Sequence, residues 1–375
     1  MKIAVSVQSL VKGHLEGLGW FTYESLSRIV RKHPEHEFVF IFGKGIHQDF
    51  IFADNVTAIN VGPPFFRPPA WYIKFRFLLP WVLRNQQFDL FVSADGVSSN
   101  AINCKKLVVM HDLNFEANPK WLPKCFSMYY RHFFPKWAKG ATRIATVSEY
   151  SKLDIHQRYG ITLDKIDVVY NGSNSLYTPL SLEQQALTRQ QYTQGYPYFI
   201  AVGSIHPRKN IDRLLLAFDR FKKTDRLNVK LVIVGSRFFW DGPLKQAYEQ
   251  IESQDDIIFT GHLPVEALHQ LMAASIALSY ISLFEGFGIP LVEAMNSETA
   301  IITSNATCLP EIASQAALYV DPMSITDIAQ AMTTLSESPE TRQKLIEAGR
   351  IRRQNFSWDK TADLLFESMM KAAHS

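Results

Sequence analysis

Little in this chain points to disulfide, metal or membrane-spanning chemistry. Its three cysteines, Cys104, Cys125 and Cys308, lie far apart and form no C-x-x-C pair. That argues against a zinc site or a disulfide framework and suits a reducing compartment. No apolar run is long enough to cross a bilayer: the longest charge-free one, Leu271 to Phe284, is interrupted by serines. The opening MKIAVSVQSLVKG lacks the basic, apolar and small-residue zones of a signal peptide and reads as a first strand. Repeats and low-complexity segments are absent. G-x-G-x-x-G followed by an acid about 20 residues on is missing from both halves, which disfavours a dinucleotide-dependent oxidoreductase. His14, His132, His206 and His262 stand at no metal-ligand spacing, so no metal is expected.

What is present fits a two-domain globular protein. The 375 residues are 47% hydrophobic and 20% charged, enough to build two cores. The net charge of +3 is unevenly divided: residues 1–175 hold 21 Lys/Arg against 14 Asp/Glu, and residues 176–375 hold 18 against 22. The excess lies in two acid-free windows. Residues 55–88 carry Arg67, Lys74, Arg76 and Arg84 among Phe65, Phe66, Trp71, Tyr72, Phe75, Phe77 and Trp81. Residues 117–148 place Lys120, Lys124, Arg131, Lys136, Lys139 and Arg143 beside Tyr129, Tyr130, Phe133, Phe134 and Trp137. Cations interleaved with aromatics suit an anionic membrane surface; aromatic cores beneath a solvated basic face produce the same pattern. No motif for nucleic acid accompanies the charge.

Short apolar runs alternate with longer amphipathic ones. Lys2–Val7, Glu37–Phe42, Leu90–Val92, Lys106–Met110 and Arg143–Thr146 read as strands, with helices such as Gly19–Lys32 and Tyr150–Tyr159 between them. The alternation restarts with strands at Tyr198–Val202, Val229–Val234, Ile257–Phe259, Ile276–Ser279 and Ala300–Thr303. Helices are expected between these at Asn210–Thr224, Leu244–Gln254, Pro264–Ala273 and Ile289–Asn296. Such alternation builds parallel sheets through right-handed crossovers. Polar Ser173–Gly195 reads as the connection. The domains expected are 1–180, 181–355 and a terminal helical segment 356–375.

Two segments carry the chemistry. Phe284-Glu285-Gly286-Phe287-Gly288-Ile289-Pro290-Leu291-Val292-Glu293 leaves an apolar run and opens a helix. Its glycines let backbone N–H groups approach a ligand, and the helix N-terminus favours negative charge. Glu285 and Glu293 can each accept from vicinal hydroxyls, as a ribose or hexose offers; ordinary first-turn acids would look the same. The second segment runs from Phe199 to Asn210 as strand, Gly203-Ser204 turn, then Arg208-Lys209 at a helix start. Cations there oppose the helix dipole, a placement that makes sense opposite a diphosphate; two solvated surface cations are the plainer reading.

Together these segments resemble the signature of family 4 glycosyltransferases: a G-x-x-x-P-R-K-N-type loop, here Gly203 to Asn210, and two glutamates separated by seven residues, Glu285 and Glu293. His111-Asp112, Thr146 to Ser151, Val169 to Gly172, Thr260 to Leu263, Ser304-Asn305, Leu309 to Glu311 and Tyr319 to Pro322 extend the likeness over most of the chain. The resemblance implies an α/β fold of GT-B architecture. Two Rossmann-like, doubly wound parallel-sheet domains would face one another across a deep cleft, with a C-terminal helix crossing back to the first domain. It also implies retaining transfer from a nucleotide sugar, GDP-mannose or a UDP-hexose, without a cofactor or metal; no D-x-D motif is present. The acceptor expected is a glycan of bacterial surface polysaccharide synthesis; the basic-aromatic windows motivate a lipid-linked one and an enzyme, cytoplasmic by its cysteines, peripheral on the inner face of the membrane.

By position, the resemblance gives Glu285 and His111 catalytic roles. Glu293 would hold the donor ribose, the backbone of Gly286, Phe287, Gly288 and Ile289 the sugar and phosphate, and Leu263 the base. Gly203, Ser204, Arg208, Lys209 and Asn210 would surround the diphosphate. Gly17 and Gly19, in Glu16-Gly17-Leu18-Gly19-Trp20, match the glycine-rich first loop; Asp112, Ser148, Glu149 and Asn171 complete the acceptor side. Ser148 and Glu149 also suit a helix cap and first-turn acid. Two departures stand out: Glu298 occupies a usual glycine position, and Trp20 follows the first loop. A GT-B nucleotide-sugar epimerase or sugar phosphorylase, or a non-catalytic sugar-nucleotide-binding protein, remain alternatives. Donor hydrolysis lost on Glu285→Ala separates an enzyme from a binder.

Overall fold

The computed structural model describes residues 1–375 except His14, Glu16, residues 63–67 and residues 237–241. Glu16, Phe65, Phe66 and Arg67 of the motifs above therefore lie outside the described residues. The chain forms two compact units, Met1–Gly172 with Ser357–Ser375, and Ser173–Phe356.

Among the described residues the first unit holds a seven-stranded parallel sheet. Its strands are β1 (Lys2–Ser6), β2 (Glu37–Phe42), β3 (Val56–Asn60), β4 (Leu90–Ser93), β5 (Lys105–Val109), β6 (Arg143–Thr146) and β7 (Ile166–Val168). They are ordered β3-β2-β1-β4-β5-β6-β7. β1 is buried on both faces because helices cover the sheet from either side; hence an unbroken apolar run rather than alternation. On one face Phe91, Val108, Tyr129, Phe134 and Trp137 share a core with Ile144 and Ile155.

The second unit contains β8 (Tyr198–Val202), β9 (Lys230–Val234), β10 (Ile257–Gly261), β11 (Ala277–Tyr280), β12 (Ala300–Ser304) and β13 (Leu318–Val320). These form a parallel sheet ordered β10-β9-β8-β11-β12-β13. Helix Ile211–Lys222 lays Leu214, Leu215, Phe218 and Phe221 into its core at helical spacing. In both sheets the order reverses beside the first strand, between β1 and β4 and between β8 and β11. Loops leaving the carboxyl ends of those strands diverge and open a crevice for ligand.

The terminal helix Trp358–His374 belongs to the first unit. Arg28 meets Asp359 at 3.0 Å and Lys32 meets Asp363 at 2.7 Å. Ser368 Oγ donates to Asp167 at 2.6 Å, and Phe366 stacks on His33 at 3.5 Å.

Two expectations are corrected. Residues 173–180 pack with the second unit rather than ending the first: Tyr177 is buried, and the Thr178 N–H donates to His269 Nε2 at 3.2 Å. Ser173–Gly195 is also more than a connection, for Leu182–Thr193 is a helix with a capping box between Ser181 and Gln184. Its polar sequence buries only Thr188 and Thr193, so no apolar stripe announces it.

Glu298 adopts a left-handed φ of +55°, the conformation its position demands and glycine would supply freely. Its carboxylate pairs with Arg350 and, at 3.6 Å, with Arg353. Glu298→Gly relieves strain while losing exposed pairs worth at most about 1 kcal/mol; Glu298→Ala loses the pairs and keeps the strain. In urea denaturation the glycine variant should exceed the alanine variant by about 1 kcal/mol. Equal midpoints would show the backbone there to be relaxed.

Candidate active site

The two loops flanking the β8/β11 reversal meet. From β8 the chain turns at Gly203, whose N–H donates to Val234 O at 2.9 Å. It then passes Ser204, half-buried, to the short helical turn Pro207–Lys209. A Cβ on Gly235 would lie 2.0 Å from Gly203 O, so only glycine lets the β9 loop approach so closely. His206 caps the turn, its Nδ1 accepting from Arg208 N at 3.2 Å. From β11 the chain runs through Phe284 and Glu285 to Gly288. Gly288 starts helix Ile289–Asn296 with a φ of +95°, and Pro290 sits in its first turn, where no N–H is needed.

Leu283 N donates to Arg208 O at 2.7 Å, joining the loops. Between them Glu285, 6% exposed, receives Arg208 Nη1 on Oε2 at 2.5 Å and Lys209 Nζ on Oε1 at 2.6 Å. Lys209 Nζ also donates to the Tyr280 hydroxyl at 2.6 Å and lies 4.4 Å from that ring's centre. Burial alone would raise the Glu285 pKa; Arg208 and Lys209 overcome it and hold the carboxyl down at about 2. Glu285 is thus an anion at any working pH. Cys308 lends its S–H to Glu285 O at 3.2 Å and Phe287 O at 3.3 Å, and Glu285 N donates to Thr307 Oγ1 at 3.3 Å.

Glu293, one turn into the helix and half-buried, accepts from the Tyr177 hydroxyl. Burial raises its pKa from the ordinary 4.5 to about 7, with the tyrosine bond opposing the rise. Two acids on one loop–helix segment therefore differ sharply in proton affinity. Gly286, Phe287 and Gly288 are buried beside them and Ile289 half-buried. Leu263 is half-buried in the loop after β10. Asn210 stands apart in role: its amide is spent on Pro322 O at 2.7 Å and on Arg213 at 2.8 Å, and its φ of +59° turns the chain into helix Ile211–Lys222. Tyr177, Tyr280, Thr307 and Cys308 carried no motif signal. Only Tyr280, ending a strand beside the glutamate loop, could have been noticed.

In the first unit, Gly17 and Gly19 open helix Gly17–Lys32 after the β1 loop. His111 follows β5; its Nε2 donates to Ala94 O at 3.0 Å, leaving Nδ1 as acceptor, and its ring meets Phe21 edge-on at 4.7 Å. Burial lowers its pKa to about 4, so the imidazole is neutral. Asp112 Oδ1 accepts from Asn114 N at 3.0 Å, and Ser148 caps helix Glu149–Tyr159 with Glu149 in its first turn. Asn171 is buried with Oδ1 unpartnered. Gly17, Gly19, His111 and Asp112 thus lie after the carboxyl ends of β1 and β5, while Glu149 sits beyond β6.

The basic-aromatic windows divide. Lys74 is buried, donating to Gln8 Oε1 at 2.7 Å, and burial lowers its pKa; it is no surface cation. Phe75, Tyr129, Phe134 and Trp137 belong to the core, whereas Tyr72, Ile73, Phe77, Trp81 and Met128 are exposed. Among the described residues no group of three or more His, Cys, Asp or Glu is placed to hold a metal, and no helix is long and apolar enough to cross a membrane.

Residues 17–175 match the family model Glycosyltransferase Family 4, and residues 184–352 match Glycosyl transferases group 1. The chain belongs to the family 4 glycosyltransferases. This glycosyltransferase is 27% identical to O-antigen chain mannosyltransferase B of Escherichia coli over 372 residues, 96% of this chain and 97% of the relative. It is 29% identical to O-antigen chain mannosyltransferase RfbU of Salmonella typhimurium over 73% of this chain and 72% of that one. Its fold matches Anabaena Alr3699/HepE in complex with UDP and glucose, with a TM-score of 0.76 and 18% identity over 99% of both chains. WaaG, a glycosyltransferase involved in lipopolysaccharide biosynthesis, gives 0.73 and 15% over 99% of this chain and 98% of that one. The expected GT-B class, two Rossmann-like parallel-sheet units, is the one found.

Proposed function

We propose that this glycosyltransferase moves a hexose from a nucleotide sugar, GDP-mannose first and a UDP-hexose second, to a glycan acceptor with retention of anomeric configuration. The observation that carries the donor half is the Arg208–Glu285–Lys209 cluster at the β8/β11 reversal. As the bond from the anomeric carbon to the phosphate oxygen breaks, negative charge grows on the diphosphate and positive charge on the sugar ring. Arg208 and Lys209 are preorganised for the first and the permanently ionised Glu285 for the second. The acceptor oxygen bonds to the anomeric carbon from the departing phosphate's face, and its proton passes to that phosphate.

Glu293 would bind the ribose hydroxyls, Leu263 the base, Ser204 and the 286–289 backbone the phosphate and sugar. Neutral His111, with Gly17, Gly19, Asp112, Ser148, Glu149 and Asn171, would serve the acceptor side. Two cations beside the diphosphate make a metal unnecessary, so activity should change less than twofold with EDTA. The mannosyltransferase relatives favour mannose. A thermal-shift panel of nucleotide sugars tests the donor: GDP-mannose should raise the melting temperature most, because only a bound ligand stabilises by mass action. A larger shift with UDP-glucose would replace the donor assignment.

Bacterial surface polysaccharide is the product the relatives favour, with a lipid-linked acceptor. Exposed Tyr72, Ile73, Phe77 and Trp81 beside Arg76 and Arg84 support a peripheral site on the cytoplasmic face of the membrane. Sedimentation with vesicles should rise with anionic lipid content; indifference to lipid charge removes this part of the reading.

A further inference from the structure

The first unit has a cavity of about 440 Å³ that the donor chemistry does not use. Its floor is Phe75, Tyr129 and Trp137, all buried, with Ser98 and Ser99 from the loop after β4. Its rim carries Arg76, His132 and Lys136, all exposed, and no carboxylate among the lining residues. One face of helix Lys124–Gly140 supplies Tyr129, His132, Phe133, Lys136 and Trp137 at helical spacing. Opposite, the π-helical turn Lys74–Leu78 splits its side chains: Lys74 and Phe75 turn inward while Arg76 stays at the rim. π-turns of this kind recur at functional sites.

One detail separates this cavity from a packing gap. At the rim, Lys136 Nζ donates to His132 Nε2 at 2.6 Å, so two basic groups share one hydrogen bond with no anion between them. An inserted phosphate would accept from Lys136 Nζ and, once that bond is released, from a ring N–H of His132. Arg76, resting over the Phe77 ring at 5.3 Å, is a third donor.

We propose that this cavity is a second ligand site, taking an amphiphile whose apolar chain lies on the aromatic floor and whose phosphate sits at Arg76, His132 and Lys136. The volume falls within the usual range of about 300–1,000 Å³ for small-molecule sites. The inference rests on no property of the donor cluster, and binding is read without sugar transfer.

Farnesyl phosphate, soluble and free of any bilayer, is the probe, titrated by calorimetry into the intact protein. Saturable 1:1 binding is expected, at least tenfold tighter than farnesol or inorganic phosphate alone. The double variant Arg76→Ala/Lys136→Ala should weaken it at least tenfold. Ala101→Trp, at the exposed edge of the cavity, should block it by filling the space, with its melting temperature confirming the fold. Lys124→Ala, outside the lining, should leave it unchanged. Equal binding of farnesol would remove the phosphate site, and equal binding of inorganic phosphate would remove the apolar floor. Undiminished binding in both the double variant and Ala101→Trp would overturn the site, as would non-saturating uptake, the mark of surface adsorption.

Discussion

Glu285→Gln should lower sugar transfer by about two to three orders of magnitude, the range seen when one preorganised electrostatic group is removed, while tightening the hold on free nucleoside diphosphate. The opposite signs follow from the geometry. Both carboxylate oxygens are engaged, one by Arg208 and one by Lys209. An incoming diphosphate must share those cations with an anion that stays ionised down to about pH 2. Neutral glutamine ends the competition, so product affinity rises, but it also removes the negative charge beside the sugar when ring charge develops. A group that merely shaped the loop would lower both quantities together.

The same substitution costs stability. Lys209 is 9% exposed, so loss of its carboxylate partner leaves a buried ammonium beside the Tyr280 hydroxyl and should destabilise the second unit by about 3 kcal/mol. Melting curves, initial rates and calorimetry with nucleoside diphosphate separate the three effects. Transfer within threefold of the unaltered enzyme would remove Glu285 from the reaction. Unchanged or weaker diphosphate binding would show that the cations do not serve both partners.

Much of this arrangement was legible because central strands and one helix are dictated locally. Glu37–Phe42, Arg143–Thr146, Tyr198–Val202 and Ile289–Asn296 have the bounds that their apolar runs and flanking residues imply. Edge elements are different. β3, β7 and β13 are short, partly exposed strands whose pairing partners, not their own pattern, make them strands. Side-chain partnerships were still less visible. Nothing local distinguishes Lys74, which is buried against Gln8, from Arg76 two residues on, which is exposed. Arg208, Lys209 and both glutamates could be singled out, but their pairing depends on β8 lying beside β11, a crossover that places residues 76 positions apart in contact. Tyr177 illustrates the remainder: it lies in a stretch with no motif and acquires meaning only by donating to Glu293.

Glu293→Gln should make the protein more stable than the unaltered enzyme at pH 8 and weaken nucleotide binding there. Burial raises the Glu293 pKa from 4.5 to about 7, so the folded chain retains a proton that the unfolded chain has released across that interval. Stability from this group is fully present below pH 4.5 and is lost as pH climbs through 7, the reverse of an ion-paired carboxylate. Spread over the interval, the loss is about 3 kcal/mol at most. Glutamine cannot ionise, so the variant's advantage should be absent at pH 4, grow from about pH 5 and level off above pH 7. Binding runs the other way. An ionised carboxylate accepts from both ribose hydroxyls, whereas its acid form has already committed one oxygen as a donor. Nucleotide affinity should therefore rise as pH passes 7 in the unaltered enzyme and stay flat in Glu293→Gln. Paired melting and binding series from pH 4 to 9 read both trends. Parallel stability curves for the two proteins would place the proton elsewhere, and a matching pH dependence of binding would detach Glu293 from the ribose.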